Sequence, residues 1–263
     1  MKPMYIVDLD DNLGQVQRKC PAGMDVAEMR VMSVGSDGTP RSFMTPQQSA
    51  LFDMMRTTGD VTPCTLRDYA GFKRVRLPFD GHAIVSYGGA IVMPDGTFEP
   101  RWQAHIVEEA AKAKSTLLAL AERARKFVES ERMESAHVKL QGETFDGVET
   151  PLFLLIKQHD EDNSSLQWLA TLLASEKSGP RLPDGWKIHC NDSTLAVFPP
   201  FLRKGLALKF LLEEVLTVKP AFTVGMGDSV DDGGFAGICD FAMMPTGSQI
   251  FGLVRKEVTD VPR

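Results

Sequence analysis

The sequence is poor in cysteine. Its 263 residues hold four, Cys20, Cys64, Cys190 and Cys239, far apart and without a CxxC pair. That spacing offers neither a zinc knuckle nor a disulfide framework, and free thiols in a reducing cytosol are the simpler reading. No run approaches the ~18 apolar residues of a membrane span. The first residues, Met1-Lys2-Pro3, lead straight into a short apolar segment that ends in acids. No signal peptide is expected from such a start, and the expected location is cytoplasmic. A basic footprint is also missing: 29 Lys and Arg stand against 35 Asp and Glu, a formal net charge of -6. Nucleic acid is therefore not the expected partner. A small phosphate ligand, which needs only a local cluster of cations and N–H groups, stays open. The five histidines form no HxxH-like pair and none is assigned a catalytic role. Repeats and low-complexity linkers are absent as well.

What is present is ordinary globular material, 43% hydrophobic and 24% charged, enough for a real core. The length suits one core domain with a smaller second one. Met4 to Val7 is apolar and β-prone, and Asp8-Leu9-Asp10-Asp11-Asn12 follows at once. A short apolar run ending in polar residues fits a buried parallel strand with chemistry at its C-terminal end. Met29 to Phe43 reads as a hairpin turning at Ser36-Asp37-Gly38. Thr45-Pro46 reads as an N-cap with proline at the first helical position, opening a helix to about Met55.

Val61 to Cys64 is a weak strand broken by Pro63, leading into Thr65-Leu66-Arg67. Ala83 to Gly96 reads as strand, glycine bend and strand, closed by a Pro-Asp-Gly turn. A long helix is expected from about Gln103 to Arg132, then a strand over Leu152 to Lys157. Leu166, Leu169, Leu172 and Leu173 set a helix over Ser164 to Ser175. Lys187 to Cys190 and Thr194 to Phe198 are further strands, and Gly205 to Val215 an amphipathic helix. Ala221 to Val224 is a last core strand, followed by Gly225-Met226-Gly227-Asp228-Ser229-Val230-Asp231-Asp232. A short strand over Ile238 to Met243 closes the set. The pattern is a parallel α/β core at both ends of the chain with a mixed α+β segment between.

Two acidic groups thus follow apolar strands at opposite ends of the sequence. Adjacent parallel strands bring their C-terminal ends to one edge, so Asp8, Asp10, Asp228 and Asp232 are placed to converge. Carboxylates held together repel unless a hard cation neutralises them. Magnesium takes oxygen ligands and keeps waters and phosphate oxygens in its shell, which suits phosphoryl transfer. One aspartate of the Asp8/Asp10 pair would attack phosphorus while the other moves a proton to the leaving oxygen. Each element alone has a plainer reading. A lone DxD is more often a solvated turn, a lone Lys204 a helix-start lysine, and a lone Thr65 a helix cap. The ordered set carries the weight.

That set resembles the haloacid dehalogenase (HAD) superfamily of phosphatases. Its four motifs appear in order: Ile6-Val7-Asp8-Leu9-Asp10, then Thr65-Leu66-Arg67, then Arg203-Lys204-Gly205-Leu206-Ala207-Leu208, then Gly227-Asp228-Ser229-Val230-Asp231-Asp232. The resemblance implies an α/β fold, a Rossmann-like parallel-sheet core of residues 1–98 and 194–263, with an inserted α+β cap of the C2 type at 99–193. It implies Asp8 as nucleophile, Asp10 as general acid and then base, and Thr65 as a hydrogen-bond donor to a phosphoryl oxygen. Lys204 would neutralise phosphate charge and orient Asp8. Magnesium would be held by Asp8, the backbone carbonyl of Asp10, Asp228 and Asp232. Arg67 and Asn12 join Thr65 and Lys204 as substrate-binding candidates. The Tyr87-Gly88-Gly89-Ala90 bend and the Lys-Gly-Leu-Ala-Leu stretch are similar to subfamily IIB, the Cof-like group of sucrose-phosphate and mannosyl-3-phosphoglycerate phosphatases.

The sequence departs from the pattern in four places. Asp11-Asn12 replaces Gly-Thr, so the tight glycine turn is expected to be absent. Asp231 stands where Asn is common, Pro63 interrupts the second-motif strand, and the gap from Asp8 to Thr65 is long. Lys139, Lys157, His189 and Asn191 on or near cap strands are candidate contacts for sugar or carboxylate. The expected activity is a magnesium-dependent phosphohydrolase acting on a sugar phosphate. The alternatives are a phosphosugar mutase sharing the aspartyl phosphate, and a non-catalytic phospho-switch or ligand-binding domain. In a receiver-type switch, however, the acids precede Thr and Lys, whereas here Asp228 and Asp232 follow Lys204.

Overall fold

The computed structural model describes residues 1–158, 164–175, 182–191 and 193–258. The chain divides into two compact units, Met1–Trp102 with Lys204–Arg263, and Gln103–Arg203. In chain order the first stretch holds β1 (Met4–Val7), β2 (Gln15–Val16), β3 (Arg30–Val34), β4 (Pro40–Met44), α1 (Pro46–Thr58), β5 (Asp60–Pro63), α2 (Tyr69–Phe72), β6 (Ala83–Val85) and β7 (Ala90–Val92). The middle holds α3 (Pro100–Ser130), β8 (His137–Phe145), β9 (Val148–Lys157), α4 (Ser164–Ala174), β10 (Lys187–Cys190) and β11 (Thr194–Phe198). The last stretch holds α5 (Lys204–Phe210), β12 (Thr223–Met226), α6 (Gly233–Ala236), β13 (Phe241–Met243) and α7 (Gln249–Val258). Among the described residues no helix is long and apolar enough to cross a membrane.

The first unit is built on a parallel sheet of order β13-β12-β1-β5. All four residues of β1 are buried, as a strand covered on both faces must be, which explains its unbroken apolar run. Val7 pairs with Met226 on one side and Pro63 on the other. Pro63 is tolerated because β5 ends the ladder of this sheet, so its missing N–H costs no sheet bond there. Tyr5, Val7, Leu9, Leu13, Met32, Met44, Phe52 and Met55 form one buried cluster. Helix α1 starts where Thr45-Pro46 puts it. The Thr45 hydroxyl accepts from the Gln48 amide, and the Gln48 side chain answers to the Thr45 N–H, a capping box. The expected hairpin is there, but β2 joins it to give a second, antiparallel sheet of order β2-β4-β3.

The second unit has an antiparallel sheet of order β10-β11-β9-β8. Leu120, Ala121 and Ala124 from α3 and Leu166, Leu169 and Leu173 from α4 pack on Leu154, Ile156, Leu195 and Val197 of the sheet. Strand β11 hydrogen-bonds to β9 and β10, so the unit boundaries fall at 102/103 and 203/204, not at 98/99 and 193/194. The long strand β8 was not expected from sequence. Its signal was present: apolar and polar residues alternate from His137 to Gln141, and Asp146-Gly147 closes a two-residue hairpin loop. Both loop residues have left-handed backbone, φ 50° and 81°, as that tight turn requires. Helix α7 was likewise not expected.

Candidate active site

Parallel pairing of β1 with β12 brings Asp8 and Asp228 to one sheet edge, and the Asp8 N–H donates to the Met226 carbonyl at 2.8 Å. Between β12 and Asp228 sits Gly227, where a Cβ would lie 2.3 Å from the Asp232 Cβ; only glycine lets Asp232 approach so closely. Lys204, the first residue of α5, reaches into the same place. Its Nζ donates to Asp8 Oδ1 at 2.6 Å and to Asp232 Oδ1 at 2.7 Å. All three side chains are buried. The second oxygen of Asp232 accepts from the Ser229 hydroxyl and the backbone N–H groups of Ser229 and Asp228. Carboxylate oxygens of Asp8, Asp228 and Asp232 lie within 4.8 Å of one another.

One ammonium faces three carboxylates, and the proton affinities register the imbalance. Burial pushes the Asp8 carboxyl well above its ordinary range; Lys204 pulls it down, and Asp232 and Asp228 push it up again. Burial, Asp232 and Asp11 raise Asp228 to about 7. For Asp232 burial opposes ionisation, but Lys204 and Ser229 outweigh it and hold the group below its usual value. Burial works against the charge on Lys204 too, yet Asp8 and Asp232 keep its pKa above normal. An all-oxygen donor set with unneutralised negative charge fits a hard divalent cation.

A second group lies on the C-terminal sides of β1 and β5. Asp10 is half exposed and takes a bidentate bond from Arg67, Nε to Oδ2 at 2.7 Å and Nη2 to Oδ1 at 2.6 Å. Thr65 is buried. Its N–H donates to the Ile84 carbonyl, its carbonyl accepts from the Tyr87 N–H, and its hydroxyl accepts from the Arg67 N–H at 3.2 Å. The Thr65 hydroxyl proton is thereby left for another acceptor. Asn12 is buried at the ends of the two central strands. Its Nδ2 donates to the carbonyls of Asp8 and Met226, at 2.9 and 3.1 Å, while its Oδ1 has no partner. That amide ties β1 to β12.

The turn after Asp10 corrects one expectation. The tight turn is kept without glycine: Asp11 itself takes the left-handed conformation, φ 61°, a region that Asp tolerates better than most residues. The Asp11 N–H bonds the Gly14 carbonyl, and its carboxylate pairs with Lys19.

In the second unit, Lys139, Leu155, Ala196 and His189 form one row across the sheet. Lys157 lies on the same face, the one opposite the helix-packed residues, because side chains alternate along a strand. Asn191 sits at the β10–β11 turn, where its Oδ1 accepts from the Ser193 N–H.

No family model matches the chain, and no curated protein matches it. Solved structures do. The C-terminal domain of C. albicans trehalose-6-phosphate phosphatase is 12% identical over 89% of this chain and 72% of its own, with a TM-score of 0.55. This chain shares the fold of that phosphatase domain. Two further solved structures superpose less well. A trehalose-6-phosphate phosphatase related protein is 14% identical over 92% and 85% of the two chains, TM-score 0.48. A haloacid dehalogenase-like hydrolase from B. subtilis is 13% identical over 93% and 95%, TM-score 0.43.

Proposed function

We propose that this chain is a magnesium-dependent phosphohydrolase that carries the phosphoryl group of a sugar phosphate through Asp8 to water. The observation that supports it most is the buried Lys204 bridge between Asp8 and Asp232, beside Asp228, at the strand ends of a HAD fold. Lys204 holds Oδ1 of Asp8, which leaves Oδ2 to attack phosphorus as the ester P–O bond breaks. Asp10 protonates the leaving oxygen, then takes a proton from the water that cleaves the acyl phosphate and regenerates Asp8. The carboxyl keeps one oxygen on Arg67 while the other moves the proton. Thr65 donates its hydroxyl proton to a phosphoryl oxygen. Asp8, Asp228, Asp232 and the Asp10 carbonyl would hold magnesium, which when bound neutralises phosphate and carboxylate charge.

The second unit serves as the cap that selects the leaving group, with Lys139, Lys157 and His189, on the sheet face away from α3 and α4, as candidate contacts. A sugar phosphate is supported by the C. albicans relative, whose name places trehalose 6-phosphate as its substrate.

The test is a screen of phosphorylated metabolites read by release of inorganic phosphate, with no bisphosphate activator present. Turnover lost to a chelator and restored by magnesium is expected. Full activity without divalent metal removes the cation from the scheme. A phosphoryl group returned to the substrate, with no phosphate released, replaces hydrolase by mutase.

A further inference from the structure

We propose that Ser33 and Ser42 are positioning residues for Asp10, acting through Arg67; this rests on the proton-transfer role given to Asp10 above. Both serines are fully buried and face each other across β3 and β4, Oγ to Oγ 2.5 Å. Two fully buried hydroxyls are costly unless each finds a partner. Ser33 finds a second one. Nη2 of Arg67 donates to Ser33 Oγ at 3.2 Å while also donating to Asp10. The pairing register of β3 shifts on both sides of Ser33, and such an irregularity re-aims a side chain.

The hairpin itself is tied down from its other side. The Val34 N–H bonds the Arg74 carbonyl, and the Arg76 N–H bonds that of Met32. A fixed sheet therefore holds a serine pair, the pair holds a guanidinium, and the guanidinium holds a half-exposed carboxyl that would otherwise sample several rotamers. The long segment between Asp8 and Thr65, which carries β3 and β4, thus gains a task. It fixes the angle at which Asp10 meets the leaving oxygen.

Leaving-group dependence separates this role from general damage. p-Nitrophenolate departs without a proton, whereas phenolate and alkoxides need one. The experiment measures kcat and KM of the full chain, with magnesium, on substituted phenyl phosphates from p-nitrophenyl to phenyl and on a hexose 6-phosphate. The variants are Asp10→Asn and the double substitution Ser33→Ala with Ser42→Ala, which removes both hydroxyls and so leaves neither orphaned.

For the double variant we expect kcat to fall about tenfold on phenyl phosphate and less than about twofold on p-nitrophenyl phosphate, with KM unchanged, a fraction of the 10²–10⁴ that general acid catalysis supplies. Asp10→Asn is expected to show the same bias more steeply. A steep Asp10→Asn series with a wild-type-like or uniformly lowered double variant overturns the serine relay alone. A flat Asp10→Asn series overturns the acid assignment and the relay with it. If the double variant does not fold, Ser33→Ala alone carries the same expectation.

Discussion

Lys204 and Arg67 each grip a carboxylate near the same strand ends, in opposite settings. The Lys204 side chain is 6% exposed and bridges two buried aspartates. Arg67 is 18% exposed and holds Asp10, whose side chain is 49% exposed. Taking one partner out of a buried ion pair leaves a charge with nothing to answer it, at about 3–5 kcal/mol. An exposed pair is worth about 0–1 kcal/mol. The difference divides the work. The Lys204 bridge is part of what keeps the sheet edge folded, and it can hardly move. The Arg67 fork contributes little to folding and holds Asp10 at a half-exposed position that substrate and water can reach, as the proton transfer proposed for it requires.

The strongest way to break that division starts at Asp8. Asp8→Asn keeps shape and a hydrogen-bonding oxygen for Lys204 but loses the proposed nucleophile. Phosphate release should drop by at least about a thousandfold, with circular dichroism and the melting profile close to wild type. Turnover near that of the wild type would take the covalent role away from Asp8.

Next in size is a matched pair of cation deletions. Lys204→Met should cost about 3–5 kcal/mol in denaturant unfolding, and Arg67→Met no more than about 1 kcal/mol. Equal losses would dissolve the contrast between the two sites.

The last test is a pH dependence. Asp228 titrates at about 7 in the folded chain against an ordinary 3.8. Between these values the folded state keeps a proton that the unfolded chain releases, so metal-free stability falls as pH rises from about 4 to about 7 and then levels off. Added magnesium favours the ionised form, so its stabilising effect should grow through the same window. Thermal melts at pH 5, 6, 7 and 8, with and without magnesium, would show it; a magnesium effect independent of pH would contradict the assignment of Asp228.

Much of this was readable beforehand where local chemistry dictates structure. The apolar run before Asp8, the Thr45-Pro46 helix start and the leucine spacing in α4 each name their element, because burial or capping at those residues has one satisfactory solution. What the sequence hid is of two kinds. Strand β8 was hidden because its alternation, with His137, Lys139 and Gln141 set around Val138 and Leu140, is quieter than an apolar run. The Asp10–Arg67–Ser33–Ser42 chain was hidden because it joins residues on separate elements, and no spacing rule states which of several arginines meets a given aspartate. Asp11 shows a third case. Glycine is the usual solution for a left-handed turn, and the fold here accepts an aspartate instead.

That acceptance makes position 11 a double-duty residue whose two burdens can be separated. Glycine there would ease the backbone and delete a negative charge felt by Asp228. Asparagine, nearly as tolerant of φ 61°, would delete the charge alone. The turn after Asp10 is therefore also a dial on the electrostatic potential around Asp228, set by a single side chain.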